Sequence, residues 1–357
     1  MSKKIYINGV GCISPQNTFR NDDFLSDISE YESEYLTSIE PEYKQYISPI
    51  RLRRMSRIVK MGVSAAFIAL DDAGVEIPDA IISGTGWGCL EDTEKFLTSM
   101  IDNKEQLLTP TAFIQSTHNT VSAQIALLKK CTGYNFTYTN RGFSFENSMI
   151  DAIYLLQEGN AKNILVGGID EITPNYYNIT SKVGWWKKEK TSNLNLLQTN
   201  SKGTLAGEGS TFFSVSSKKS DRSYAELKSL TTIYKPTSNE IIDNAVSNAV
   251  QNAGLTTSDI DLAILGYSGD STKDKVYKDI SQQSLKSVPR AWFKHLCGEY
   301  YVASSFGLWL ASQILKSQTI PDAVLLDERD LSKPIQNILL YNHYDESNHS
   351  IYLISRC

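Results

Sequence analysis

Two kinds of hydrophobic pattern alternate along the chain. Apolar residues recur every three to four positions over Met55–Ala73 and over Phe145–Glu158, which predicts two amphipathic helices that each end at a glycine. Short apolar runs between turn residues predict strands at Lys4–Val10, Ala80–Gly84 and Asn163–Val166. Strands that alternate with helices in this way are typical of an α/β protein.

The second half of the chain repeats the plan of the first half. The segment ALDDAGVEIPDAIISGTG at 69–86 and the segment AVQNAGLTTSDIDLAILGYSG at 249–269 both run from a helix through Ala-Gly to an apolar strand and a glycine. The helix pattern at Ser304–Leu315 and the apolar run at Ala323–Leu326 repeat the second helix and its following strand. The period is too long for a solenoid, so we predict an internal duplication into two similar α/β halves.

A polar, charged stretch marks the predicted division between the halves. Ser216–Tyr224 separates apolar strands, which places the first half at 1–220 and the second half at 221–357. Just after the division, Thr237 and Glu240 have the spacing of a capping box and predict the start of the next helix.

Composition and charge argue against several functional classes. The chain has 357 residues, of which 41% are hydrophobic and 21% charged, and its net charge of −5 argues against nucleic acid as the main partner. No run approaches the ~18 consecutive apolar residues of a membrane-spanning helix. The five cysteines form no CxxC pair, which favours reduced thiols in a cytoplasmic protein. The sequence has no metal-ligand cluster and no cofactor motif, so we expect neither a metal nor a cofactor.

Six segments along the chain share one family pattern. They are KKIYINGVGCISP at 3–15, RRMSRIVKMGVSAAFIALDDAG at 53–74, SGTGWG at 83–88, NILVGGIDE at 163–171, LAGEGS at 205–210 and KHLCGEYYVASS at 294–305. In this order and spacing they resemble the β-ketoacyl synthases, the condensing enzymes of fatty-acid and polyketide synthesis. The resemblance covers almost the whole chain and implies a thiolase-like, duplicated, layered αβαβα sandwich that is usually dimeric.

The resemblance also implies a defined set of catalytic groups. A β-ketoacyl synthase uses a cysteine at a helix N-terminus, where the helix dipole and free backbone N–H groups favour the thiolate that takes the acyl chain. Two histidines stabilise the enolate that forms when the malonyl group loses carbon dioxide. A nearby lysine helps to hold the polar network.

Three of these four positions carry other residues in this chain. The cysteine position falls on Gly142, in TNRGFSFEN at 139–147, and the two histidine positions fall on Ser268 and Glu299. The lysine is retained as Lys294. A carboxylate at the enolate site would repel both malonate and the developing oxyanion, so we expect no catalytic residue among these positions.

Each replacement also has a structural interpretation. Gly142 either satisfies a tight turn from a strand at Asn135–Thr139 into the helix or opens a tunnel, and the sequence leaves both open. Glu299 is expected to form a buried ion pair with Lys294. Ser268 is expected to make local hydrogen bonds.

The missing cysteine makes the chain similar to the chain-length-factor subunits of type II polyketide synthases. Such a subunit pairs with an active ketosynthase, and the acyl tunnel runs along their interface. Asp270 and Glu299 resemble the variant of the aryl-polyene systems. The partners that the resemblance implies are a catalytic ketosynthase, or a second copy of the chain, and acyl carrier protein.

The resemblance points to one further region. In the matching helix region, Thr109–Lys129, the family places residues that reach across the dimer interface and shape the tunnel. The candidates here are Phe113, Gln115, Ser116 and His118. For His118 a core or interface role is favoured over a catalytic one.

Three other functions are compatible with parts of the sequence. An acyltransferase with a relocated nucleophile would use Cys297, which lies two residues from His295. A serine hydrolase would use Ser144 in a turn that partly resembles G-x-S-x-G, although Glu146 replaces the second glycine. A homodimeric acyl-binding or scaffold protein would need no ketosynthase partner.

Overall fold

A computed structural model describes residues 3–327 and 333–357, which contain ten strands and eleven α-helices. The strands are β1 (Ile5–Ile13), β2 (Ala80–Gly84), β3 (Tyr134–Tyr138), β4 (Asn163–Asp170), β5 (Gly209–Ser216), β6 (Ala225–Tyr234), β7 (Leu262–Leu265), β8 (Arg290–Trp292), β9 (Asn337–Tyr344) and β10 (Asn348–Arg356). The helices are α1 (Pro49–Leu52), α2 (Arg57–Ala73), α3 (Leu90–Asp102), α4 (Pro110–Ser116), α5 (Thr120–Lys129), α6 (Ser144–Glu158), α7 (Pro174–Val183), α8 (Asn239–Asn252), α9 (Lys275–Gln282), α10 (Lys294–Cys297) and α11 (Ser304–Ser317).

The strands join in one sheet whose order repeats between the halves. The order is β3-β2-β4-β5-β1-β6-β10-β9-β7-β8. Each half contributes five strands. When these are numbered along the chain and read from the outer edge of the sheet toward its middle, both halves give the order third, second, fourth, fifth, first. The two sets meet only where Ile5–Ile7 of β1 pairs with β6. The predicted duplication is therefore present in the topology. The division at 220/221 remains a prediction, and the loop between β5 and β6 supports it.

Successive residues of the strands face different layers, because side chains alternate across a strand. In β2, Ile81 packs in a cluster with α2 and α5, whereas Ile82 packs in a cluster with α6 and α11. In β9, Leu340 joins the same α6–α11 cluster, whereas Leu339 packs with α8 and α9. Helices α6 and α11 therefore lie between the two half-sheets, and the fold is the layered αβαβα sandwich that the sequence predicted.

Most of the predicted elements are present with small shifts at their ends. The helix predicted from Met55 begins at Arg57, and the helix predicted from Phe145 begins at Ser144. Both end at a glycine in the left-handed conformation, with φ of +70° at Gly74 and +84° at Gly159.

Three local predictions are wrong. Ala323–Leu326 is not a strand: its first two residues lie in a 3₁₀ turn (Asp322–Val324), and only Leu325 bridges to the sheet, through Ala291 of β8. The predicted capping box is absent, because extended Ser238 precedes the helix and shifts Thr237 and Glu240 out of the capping positions. The segment at 109–129 is two helices, since Thr117 is extended between them (φ −71°, ψ 142°).

Candidate functional site

The turn that leads into α6 has no room for a nucleophilic side chain. Gly142 is buried in a 3₁₀ turn between β3 and α6. A Cβ atom added to it would lie 2.7 Å from the Cβ of Tyr344 and 3.0 Å from the Cβ of Asn348. Contacts this short require the neighbouring hairpin to move. Close approach of the β9–β10 hairpin therefore requires this glycine.

The left-handed residue of this turn is Arg141. Its φ of +47° lies in the region that favours glycine, whereas Gly142 itself is outside that region. Gly142 does lie in a tight strand-to-helix turn, as one of the two interpretations held, and close packing rather than its own backbone angle favours glycine there. The exposed guanidinium of Arg141 lies beside the position where the family carries its cysteine.

Lys294 and Glu299 form the buried ion pair that the sequence predicted. The Nζ atom of Lys294 lies 2.6 Å from Oε2 of Glu299 and also donates to the backbone oxygen of His343 at 3.0 Å. The lysine is 1% exposed and the glutamate 9%. Burial raises the pKa of Glu299, and the neighbouring ammonium opposes that rise. The second carboxylate oxygen, Oε1, has no hydrogen-bond partner within the part of the chain that the structure describes.

Ser268 makes local hydrogen bonds, as expected. Its backbone N–H and its hydroxyl both donate to Oδ1 of Asp274, at 2.9 and 3.0 Å, and the N–H of Gly269 donates to Oδ2 at 2.7 Å. Burial raises the pKa of Asp274, and these hydrogen bonds oppose the rise. The serine therefore fixes a turn.

Two cavities adjoin the site, and they differ greatly in size. A cavity of about 30 Å³ lies against Glu299, Ser268 and His343, which is room for one water molecule. A much larger cleft of about 780 Å³ lies outside it. Tyr344 lines both of them, and its ring packs at a tilt of 31° against that of Tyr301, with ring centroids 4.4 Å apart.

The four tunnel or interface candidates lie away from both cavities. Phe113 is 55% exposed and packs on Phe96 with ring centroids 5.3 Å apart. The side-chain amide of Gln115 donates to the backbone oxygen of Arg54. The hydroxyl of Ser116 donates to the backbone oxygen of Phe113. These contacts place the candidates on the surface around α4.

His118, the fourth candidate, follows α4 and is exposed beside the turn at Gly88. The prediction of a core role for this histidine is therefore wrong. An interface role for the four candidates stays a prediction.

The outer strand β3 presents exposed aromatic residues that the sequence analysis did not single out. Tyr134 and Phe136 are 43% and 46% exposed, and the rings of Phe136 and Tyr138 are 4.8 Å apart. Within the described ranges, β3 pairs with β2 on one side and with no strand on the other. Helix α5 packs on β3 and follows α4, so this edge and the α4 candidates belong to the same half of the molecule. The alternation of Tyr134, Phe136 and Tyr138 along the strand was the available signal.

Neither alternative nucleophile is accessible. Cys297 is completely buried, its thiol donates to the backbone oxygen of Gly298 at 3.3 Å, and burial raises its pKa well above the usual value. Burial lowers the pKa of nearby His295 to about 3, so the imidazole is neutral. The hydroxyl of Ser144 is buried and accepts the N–H of Asn140 at 2.8 Å.

Comparison with known sequences decides the family. The profile of the N-terminal domain of β-ketoacyl synthases matches residues 32–258. The chain belongs to the β-ketoacyl synthase family. Among curated proteins, no relative matches this family member. In the described ranges no helix has the length and hydropathy needed to cross a membrane, and no group of three or more His, Cys, Asp or Glu residues is placed to hold a metal ion.

Solved structures share the ketosynthase fold over the full length of this family member. The ishigamide ketosynthase/chain length factor aligns over 100% of both chains with a TM-score of 0.82 and 16% identity. The ketosynthase ApeO in complex with its chain length factor ApeC from Xenorhabdus doucetiae aligns over 99% of this chain and 98% of that chain, with a TM-score of 0.78 and 16% identity. A type II acyl-carrier protein complex with its hexaketide-bound ketosynthase, AntDE:AntF, aligns over 100% of both chains with a TM-score of 0.79 and 13% identity.

Proposed function

We propose that this protein is a non-catalytic, chain-length-factor-like subunit that pairs with an active ketosynthase in a type II polyketide or aryl-polyene type of pathway. The observation that carries the proposal is the filled position at Gly142, where Tyr344 and Asn348 occupy the space that a nucleophilic side chain would need. A pocket without a nucleophile cannot take an acyl chain as a thioester.

The ion pair of Lys294 and Glu299 in the second half also supports a non-catalytic role. Decarboxylative condensation needs hydrogen-bond donors aimed at the developing enolate oxygen. At that position Glu299 presents a carboxyl group, and its charge partner Lys294 is already engaged by that carboxyl and by the backbone oxygen of His343. The pair therefore fixes local geometry, and two of the three N–H donors of the Lys294 ammonium are already used within the chain.

A partner surface is available on the first half. Among the described residues no strand pairs with the outer side of β3, which also exposes aromatic rings, and such edges readily pair with another chain. Phe113 on α4 adds an exposed apolar side chain in the same half. We assign this face, β3 together with α4, to the ketosynthase partner. The titles of the similar structures name ketosynthase–chain length factor and ketosynthase–acyl-carrier protein assemblies, which supports this choice of partners.

Intact-protein mass spectrometry tests the absence of catalysis. The purified chain is incubated with an acyl-carrier-protein thioester, alone and beside a ketosynthase that becomes acylated as the positive control. We expect no acyl adduct on this chain in either sample. A stoichiometric adduct would contradict the proposal, and its loss in a Cys297→Ser variant would assign the nucleophile to that thiol.

Reconstitution tests the partner role. The chain is co-expressed with a candidate ketosynthase, and product formation is compared with that of the ketosynthase alone. We expect the complex to form product and the ketosynthase alone to form little. Equal product formation without this chain would count against the subunit role, and a stable homodimer that binds no ketosynthase would favour a scaffold protein.

A further inference from the structure

The large cleft outside the filled catalytic position has a lining suited to a small ligand. Its volume of about 780 Å³ is in the range of small-molecule sites. At its base, Tyr344 and Asn348 close the approach to Gly142. A molecule bound there would thus be held against a wall that carries no nucleophile.

Aromatic side chains dominate the apolar part of this lining. They are Trp87, Phe143, Trp185, Tyr234, Tyr301 and Tyr344. Three of them form a connected group, because the rings of Trp87 and Tyr301 are 5.8 Å apart and those of Tyr301 and Tyr344 are 4.4 Å apart. Such surfaces favour flat apolar or aromatic groups, which stack or pack edge to face on the rings.

Two exposed cations stand in the same cleft without acidic partners. Within the described ranges, neither Arg141 nor Lys235 forms an ion pair, and both have a φ of +47°. The backbone N–H of Lys235 donates to the oxygen of Ser347 at 2.7 Å, which holds this residue at the cleft. The acid in the lining, Asp345, is already paired with Lys273 at 2.5 Å. The cleft therefore carries an unbalanced positive charge.

We propose that this cleft binds a small anionic ligand with a flat apolar or aromatic body. The aromatic rings contact the body, and Arg141 and Lys235 bind the anionic group, which is a carboxylate, sulfonate or phosphate. Charge-assisted hydrogen bonds from a guanidinium are stronger than neutral ones, and the open rim leaves the Arg141 donors available. The inference concerns this chain alone and does not depend on the ketosynthase partner.

The test uses 8-anilinonaphthalene-1-sulfonate, an aromatic sulfonate, as the probe. Its binding to the full chain is measured by calorimetry and by quenching of tryptophan fluorescence, since Trp87 and Trp185 line the cleft. We expect one site, with affinity that falls as the salt concentration rises. The double variant Arg141→Ala/Lys235→Ala should bind at least about tenfold more weakly, because it loses both charged contacts.

A matched charge control separates this site from general attraction. Arg53→Ala/Lys162→Ala removes the same charge from exposed positions elsewhere, and it should change the affinity by less than about twofold. Equal weakening in both double variants, or none in either, would overturn the assignment. The Tyr234→Ala variant, at a position that is 64% exposed, should weaken the probe about threefold without affecting folding, through loss of ring contact.

Binding of two further probes separates the contribution of the ligand's anionic group from that of its apolar body. Inorganic phosphate, an anion without an apolar body, and 2-naphthalenemethanol, an apolar body without charge, should each bind at least about tenfold more weakly than the sulfonate. A neutral probe that binds equally well would overturn the role of the cations. Loss of the sulfonate site in Phe136→Ser would place the probe on the β3 edge and overturn the cleft assignment.

Discussion

The two outer strands of the sheet hold corresponding places in the two halves, yet one is open and the other is covered. β3 exposes Tyr134 and Phe136 and has no strand on its outer side in the described ranges. On β8, Ala291 bridges to Leu325, and the guanidinium of Arg290 donates to Asp327 at 2.7 and 2.5 Å. The same topology thus leaves one half able to accept a partner and closes the other within the chain.

Two buried acids, one in each half, also differ in how the protein accommodates them. In the second half, Glu299 is paired with Lys294 at 2.6 Å. In the first half, Glu171 follows β4, is 4% exposed, and accepts the backbone N–H of Glu91 at 3.0 Å. Burial is the main cause that raises the pKa of Glu171 to about 8, and nearby Arg57 is only a minor opposing influence. The buried carboxyl of Glu299 is therefore stabilised by a close cation, whereas that of Glu171 is accommodated by binding a proton.

The largest effect is expected when the cation of the matched pair is removed. Lys294→Met leaves Glu299 buried without its partner and should lower the free energy of unfolding by about 3–5 kcal/mol at neutral pH. The loss should shrink toward pH 5, since Glu299 can then take up a proton. Chemical denaturation at both pH values, about 5 and about 7.5, measures it.

Two controls show whether that loss belongs to the pair. Lys294→Met/Glu299→Leu should recover most of the stability, because no buried charge remains. Lys95→Met, which breaks the exposed pair with Glu91, should cost less than about 1 kcal/mol. Equal stability of the single and double variants would mean that the ion pair does not hold this region.

The next effect concerns the open edge. Phe136→Asp places a charge on β3 and should weaken association with the proposed ketosynthase partner by about 2 kcal/mol or more, without lowering the stability of the chain itself. Co-purification and light scattering after size exclusion measure the association. Ile241→Asp, at a position 41% exposed on α8 of the second half, is the matched control and should leave association unchanged. Unchanged association in Phe136→Asp would show that the partner does not use this edge.

A smaller effect is expected at the unmatched acid. The folded protein binds the proton of Glu171 more tightly than the unfolded chain, so stability falls as pH rises from the ordinary value of 4.5 to about 8. Glu171→Gln keeps an acceptor for the Glu91 N–H and should be about 1–2 kcal/mol more stable than the parent near pH 9, with no gain near pH 4. Urea denaturation across this range tests it, with Glu32→Gln as an exposed control. A gain of the same size at both ends of the range would contradict the assignment.

The smallest effect is expected at the surface pair Lys273–Asp345. Its atoms are 2.5 Å apart, but the aspartate side chain is 60% exposed, so solvent screens the attraction. Asp345→Asn should change the free energy of unfolding by less than about 1 kcal/mol, and the change should vanish in high salt. Thermal melts at two salt concentrations measure it. A loss comparable to that of Lys294→Met would place this pair among the buried ones.

Much of the fold could be predicted because local patterns dictate it. The apolar spacing of α2 with its terminal Gly74 specifies a helix without distant contacts, and the short apolar run Ala80–Ile82 specifies β2 in the same way. Prediction failed where contacts with distant parts of the chain determine the local structure. The apolar run at Ala323–Leu326 begins in a 3₁₀ turn and makes a single bridge to β8, and its local pattern does not distinguish this from a strand.

The candidate site likewise has one feature that the sequence predicts and one that it does not. Lys294 and Glu299 are five residues apart on either side of Gly298, so their pairing could be anticipated from the sequence. The closure over Gly142 could not be anticipated, because Tyr344 and Asn348 reach it from the distant β9–β10 hairpin. Nothing in the sequence around residue 142 distinguishes a glycine that opens a passage from one that a hairpin has closed.

The closeness of that hairpin also bears on the evolutionary history of the chain. The conflict at Gly142 begins at Cβ, where cysteine, serine and alanine are alike, and the nearest atom is another Cβ, fixed by the backbone of Tyr344. A side chain placed at residue 142 would therefore meet a contact that no rotation of that side chain relieves. Any evolutionary route by which this position gains a side chain needs the hairpin to move first, so one substitution at residue 142 is not sufficient.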